Sequence, residues 1–218
     1  MKKRKFAVIG LNTFGVAVMQ ALEKLGHERI GIDIDRSVVQ KYAADLRDVV
    51  EADATQTDAL QAAGIDQCDC AVVALGTNLA ASILVTLTLK QMGVPFVAAK
   101  AKSETHAEAL KRVGADLVVF PERDSARHLA KQMMFTGFLD VDPLTDSFSL
   151  VKVKPLKSMV GRTIKDIQLR SKFGLNIILI EKADGAKVEP EPTYTICATD
   201  TLYIAGRDSA LESYSKEK

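Results

Sequence analysis

The stretch Phe6-Ala7-Val8-Ile9-Gly10-Leu11-Asn12-Thr13-Phe14-Gly15 decides the fold. Four apolar residues lead into a turn with glycine at each end. Beyond it, Phe14, Ala17, Val18, Ala21, Leu22 and Leu25 recur at helical spacing, and Gly26 stops the pattern. The order is strand, tight turn, helix. Two acids, Asp33 and Asp35, follow about 20 residues later at the end of the next apolar run. The turn therefore stands where a Gly-x-Gly-x-x-Gly fingerprint stands. Free N–H groups at a helix start, aided by the helix dipole, suit a diphosphate. A carboxylate at position 33 suits ribose hydroxyls. Asn12 replaces the middle glycine. Asn tolerates left-handed backbone angles, so the turn is expected to survive with such a residue there.

Working outward, short apolar runs repeat at Arg29–Ile32, Val49–Val50, Ala71–Leu75, Phe96–Ala99 and Leu117–Phe120. They are continuous rather than alternating, as strands covered on both faces are. Helical patterns fill the gaps at Ser37–Ala44, Asp58–Ala63, Leu79–Met92 and Glu104–Val113. The fold class is α/β, a Rossmann-like doubly wound parallel sheet. Past Phe135, the breakers Gly137, Asp140, Asp142, Pro143, Asp146 and Ser147 read as a connector. A small α+β lobe follows. It has strands near Phe148–Val153, Asn176–Glu181 and Thr201–Ile204, a helix near Thr163–Leu169 and a terminal helix after Asp208. The expected division is 1–138, including a last helix ending in Met133-Met134-Phe135, and 139–218.

Ligands of open α/β sheets sit at the carboxyl ends of strands. Besides Gly10, Asn12, Thr13, Phe14 and Gly15, the expected binding set is Asp33, Ile34, Asp35 and Arg36 after the second strand. Asp53, Ala54 and Thr55 follow the third, Ala74, Leu75 and Gly76 the fourth, and Lys100 the fifth. Asn78 doubles as a helix cap, and Glu122 opens the last helix of the first lobe.

The composition narrows the classes. The 218 residues carry 29 Lys and Arg against 28 Asp and Glu. With no basic face, nucleic acid is not expected as a partner. A hydrophobic content of 47% excludes a disordered chain. Cys68, Cys70 and Cys197 are odd in number and lack zinc spacing, which reads as thiols in a reducing compartment. The apolar runs are too short for a signal peptide or a membrane span, so a cytoplasmic chain is expected.

Taken together, the Phe6–Gly15 turn, Gly31-Ile-Asp-Ile-Asp35, Ala52-Asp-Ala-Thr55, Val72-Val-Ala-Leu-Gly76, Lys111-Arg-Val-Gly-Ala-Asp116 and Pro121-Glu-Arg-Asp124 resemble the RCK (KTN) regulatory subunits of bacterial potassium uptake systems, of the KtrA/TrkA type. Residues Phe148–Tyr214 resemble the family's RCK_C (TrkA_C) lobe. The resemblance implies a nucleotide-sensing gating subunit that is not an enzyme. It implies ATP, ADP or NAD(H) in the first lobe, and a homodimer assembling to an octameric ring. It places that ring on the inner face of the membrane, held there by a membrane-embedded potassium-translocating subunit. It puts a divalent cation or sodium near Glu122. It offers a second ligand pocket, for cyclic di-AMP in some relatives, near Ile164, Arg170, Ile177 and Pro190. The last helix of the first lobe would be a crossover helix packing between subunits. In the family the turn usually reads Gly-Leu-Gly-Arg-Phe-Gly; here Thr13 lacks the arginine's charge.

The alternative is a small NAD(P)-dependent oxidoreductase. It requires a substrate domain and a proton donor near the nicotinamide. Residues 139–218 are few and polar for that task, and no Ser/Tyr-x-x-x-Lys arrangement follows the fourth strand.

Overall fold

A computed structural model of the chain describes residues 3–46, 48–135 and 137–217. It falls into two compact units that meet in sequence at Pro121 and Glu122. The first holds β1 (Lys5–Ile9), α1 (Thr13–Lys24), β2 (Glu28–Asp33), α2 (Arg36–Leu46), β3 (Val49–Glu51), α3 (Thr57–Ala62), β4 (Cys70–Val73), α4 (Leu79–Gln91), β5 (Phe96–Lys100), α5 (Glu104–Arg112) and β6 (Leu117–Val119). The strands form one parallel sheet in the order β3-β2-β1-β4-β5-β6. The order reverses between β1 and β4, so the carboxyl ends of these two strands open a crevice.

Successive residues of β1 point to opposite faces, and each face has its own core. Ala7 and Ile9 join Ile32, Val73, Val97, Leu89 and Leu110 under α4 and α5. Val8 joins Val16, Met19, Leu22 and Leu46 under α1 and α2. On that second face a groove of about 560 Å³ runs along β4 and β5, lined by Phe6, Val72, Phe96 and Ala98 among others.

The second unit begins with α6 (Pro121–Met134) and continues as β7 (Asp140–Pro143), β8 (Phe148–Val153), α7 (Ile164–Ile167), α8 (Leu169–Phe173), β9 (Asn176–Glu181), β10 (Lys187–Val188), β11 (Thr201–Arg207) and α9 (Asp208–Ser215). Its antiparallel sheet runs β10-β9-β11-β8-β7. In β8, Ser149, Val151 and Val153 are buried and alternate with partly exposed neighbours, the pattern of a sheet with one face on a core. Leu202, Ile204, Leu211 and Tyr214 complete that core. Lys131 on α6 pairs with Asp208 at 2.9 Å, and Asp208 accepts from Ser149 Oγ at 2.7 Å, so α6 is tied to this unit.

Three expectations need correction. The breaker-rich stretch contains a strand, β7, whose Val141 is buried and paired with Val151 on β8. Pro143 is tolerated because β7 is the edge of its sheet. The helix expected near Thr163–Leu169 is two short helices, broken at Gln168, which has φ 54° and ψ 39°. The Met133-Met134-Phe135 stripe, of a kind that usually packs in a core, does end a helix as expected, but Met133 and Met134 are exposed on α6 and only Phe135 is buried.

Candidate nucleotide-binding cleft

The turn after β1 is shaped by its two glycines. Gly10 has φ +95°, and its N–H donates to Ile32 O at 2.7 Å, which joins the end of β1 to β2. A Cβ on Gly15 would overlap the Gly10 carbonyl oxygen, so only glycine lets α1 start this close to the strand end.

Asn12 does not need the left-handed angles expected of it. Its backbone is extended, φ −74° and ψ 179°, and it is the N-cap of α1. Its Oδ1 accepts from the N–H of Phe14 at 3.0 Å and of Gly15 at 3.2 Å. Its Nδ2 donates to Ala74 O, just past β4, at 2.6 Å.

Asp33 ends β2 and braces the same turn. Its Oδ2 accepts from Leu11 N–H at 2.7 Å, and its Oδ1 from Asp35 N–H at 3.0 Å. Asp53 Oδ1 accepts from both the N–H and the hydroxyl of Thr55, at 2.9 and 2.7 Å. Those two bonds hold the Asp53 carboxyl below its ordinary pKa. Asn78 caps α4 by accepting from Ala81 N–H at 3.0 Å.

These groups surround a cavity of about 470 Å³. Of the expected residues, Gly10, Asn12, Asp33, Ile34, Asp53, Ala54, Thr55, Leu75 and Gly76 line it. Thr13, Phe14, Gly15, Asp35, Arg36, Ala74 and Lys100 stand outside the lining. Gly15 and Ala74 shape it from behind. Lys100 Nζ stands 5.7 Å from the centre of the Phe14 ring, and its stem lies beside Gly76. Asp35 accepts from Ser37, and Arg36 lies 3.9 Å from Glu51. Sequence reasoning missed Ile9, Ile32, Ala52 and Ala81 in the lining. Their positions at strand ends and in the first turn of α4 were the available signal.

Glu122 lies in the first turn of α6. Among the described residues, no three His, Cys, Asp or Glu side chains come together in a way that holds a metal ion. A single carboxylate supplies at most two of the six to eight oxygen donors that calcium takes. No helix among the described residues is long and apolar enough to cross a membrane.

A second cavity, of about 510 Å³, lies within the second unit. Ile164, Arg170, Ile177 and Pro190 all line it, together with Lys165, Gln168, Leu175, Asn176 and Pro192. The four expected residues are thus brought into one place from α7, α8, β9 and the loop after β10.

Comparison with known proteins agrees with both halves. Residues 6–121 match the TrkA-N domain and residues 148–218 the TrkA-C domain. The chain is 36% identical over 214 residues to the Ktr system potassium uptake protein C of Bacillus subtilis, covering 98% of this chain and 97% of that one. It is 31% identical over 217 residues to protein A of the same system and organism, covering 100% and 98%. Among solved structures, the GsuK channel bound to NAD shares the fold, with a TM-score of 0.62 at 18% identity over 96% of this chain and 38% of that one. With a parallel-sheet TrkA-N lobe and an antiparallel TrkA-C lobe, the chain belongs to the RCK (TrkA-N/TrkA-C) family that includes the Ktr potassium uptake proteins.

Proposed function

We propose that this chain is a nucleotide-sensing regulatory subunit of a potassium uptake system. The observation that carries the reading is the cleft at the β1/β4 switch point, where the glycine turn, Asp33 and Asp53-Ala54-Thr55 line one cavity. Its dimensions and its acids at the ribose end suit ATP, ADP or NAD(H). Membership in a family of potassium uptake proteins supplies the transport role.

The role is regulatory rather than catalytic. Asn12, Asp33, Asp53 and Asn78 are each hydrogen-bonded to the chain's own backbone. They hold the shape of the cleft, which supports a binding role for it.

Self-association has its own support. Leu129, Met133 and Met134 on α6 are exposed, at 55%, 71% and 77%. The groove along β4 and β5 leaves Phe96 exposed as well. Apolar surfaces of this kind mark protein contacts. We assign them to a homodimer that builds an octameric ring on a membrane-embedded potassium-translocating partner, which holds the chain at the inner face of the membrane. In this division of labour, residues 1–138 bind nucleotide and end in α6, the crossover helix, which packs within the second compact unit, and residues 139–218 form the second regulatory lobe. Arg170 and Lys165 make the second cavity suitable for a second phosphate-bearing ligand, such as cyclic di-AMP.

Nucleotide acts by binding one ring geometry better than another. It shifts the equilibrium only by that difference in affinity. Titration calorimetry of the full chain with ATP, ADP, NAD and NADH tests the reading. At least one is expected to bind saturably, one per chain. No binding by any at millimolar concentration would overturn it. Light scattering tests assembly, and a strict monomer with and without nucleotide would remove the ring.

A further inference from the structure

We infer that the Asn12 side chain occupies the diphosphate subsite of the cleft and sets how strongly the site discriminates between adenosine and ligands carrying a pyrophosphate. This rests on the reading of the cleft as a nucleotide site.

The helix start that faces the cleft is already capped from within. Asn12 Oδ1 takes the N–H groups of Phe14 and Gly15, two of the donors a phosphate oxygen would otherwise use. The other end of the same amide is also engaged. Nδ2 donates to Ala74 O at 2.6 Å, on the far side of the switch point. The side chain therefore spans the gap between the end of β1 and the end of β4, where the pyrophosphate of a dinucleotide lies in doubly wound sheets. Asn12 also lines the cavity.

A phosphate oxygen carries charge and is a stronger acceptor than a carboxamide oxygen. It competes for the two N–H groups only by displacing the Asn12 side chain. Displacement breaks the bond to Ala74 O as well, and Ala74 is fully buried. Leaving that carbonyl without its donor adds to the cost. The adenosine end is spared, because Asp33 and Asp53-Ala54-Thr55 make their hydrogen bonds without Asn12. The penalty thus falls on the diphosphate and not on the nucleoside.

The test is calorimetric titration of the full chain and of Asn12→Gly and Asn12→Ser with adenosine, ADP and NADH. Asn12→Gly opens both N–H groups and is expected to tighten ADP and NADH about tenfold while adenosine stays within about twofold. Asn12→Ser keeps a capping oxygen, drops the bond to Ala74 and is expected to tighten ADP about threefold. It also remains informative where the glycine variant does not fold. An unchanged ratio of ADP to adenosine affinity in the variants overturns the role of Asn12 and leaves the cleft reading standing. Weaker ADP binding in both variants overturns it too, since Asn12 would then be contacting the ligand. Binding of none of the three by any form of the chain removes the cleft reading, and this inference with it.

Discussion

The two candidate ligand cavities, one in each unit, are similar in size and opposite in construction. The first is framed by backbone: the Gly10–Gly15 turn, the ends of β1, β2 and β4, and carboxylates that hold loop N–H groups. The second is framed by side chains from two four- and five-residue helices, one strand and two prolines. A backbone-built site tolerates few substitutions in its frame and leaves its chemistry to a few side chains, here Asn12 and Asp33. A side-chain-built site changes its ligand with each residue exchanged.

The largest expected effect follows from that contrast. In Gly15→Ala the new Cβ collides with a backbone carbonyl that cannot rotate away. The variant is expected to lose about 3 kcal/mol of stability in chemical denaturation, and nucleotide binding with it. A variant that melts and binds like the parent would show that the turn is not the rigid frame described.

Asp33→Ala comes next. It orphans the N–H groups of Leu11 and Asp35 and removes the ribose acceptor. Nucleotide affinity is expected to fall at least about tenfold, for about 1.5–3 kcal/mol of lost charge-assisted hydrogen bonding. Asp33→Asn keeps one acceptor oxygen and should fall in between.

Arg170→Ala probes the side-chain-built pocket. A phosphate-bearing ligand such as cyclic di-AMP is expected to bind about tenfold more weakly there, with nucleotide binding in the first cleft unchanged. Equal loss at both sites would break the distinction between them.

The smallest effect is expected at Gln168→Gly. The left-handed conformation costs a non-glycine residue roughly 1 kcal/mol, and glycine adopts it freely. A gain of about 0.5 kcal/mol in stability is expected, because glycine also costs more entropy to order. A loss would mean that the Gln168 side chain contributes more than its backbone strain costs.

The same contrast explains what is legible in the sequence. Backbone demands leave marks at fixed offsets, so the alternation of strands and helices, the Gly10–Gly15 turn and the strand-end residues Asp33, Asp53 and Gly76 can be read from the residues alone. The role of Asn12 cannot, because its tolerance of left-handed angles and its talent for capping are written by the same residue; only the observed φ of −74° separates them. β7 is hidden because a short edge strand needs one inward residue, Val141, and its remaining residues Asp140, Asp142 and Pro143 all signal a loop. The break at Gln168 is hidden because glutamine carries no turn signal. The second pocket has no local pattern at all. Its four expected residues came from family resemblance, and their meeting in one cavity depends on how α7, α8 and β9 pack.

Hydrogen–deuterium exchange on the full chain, with and without saturating ADP, tests the central claim most directly. Slower exchange is expected at Gly10–Gly15, Ala52–Thr55 and Leu75–Asn78, the segments that surround the first cleft. Protection confined to residues 164–177, or no protection anywhere in the chain, would contradict it.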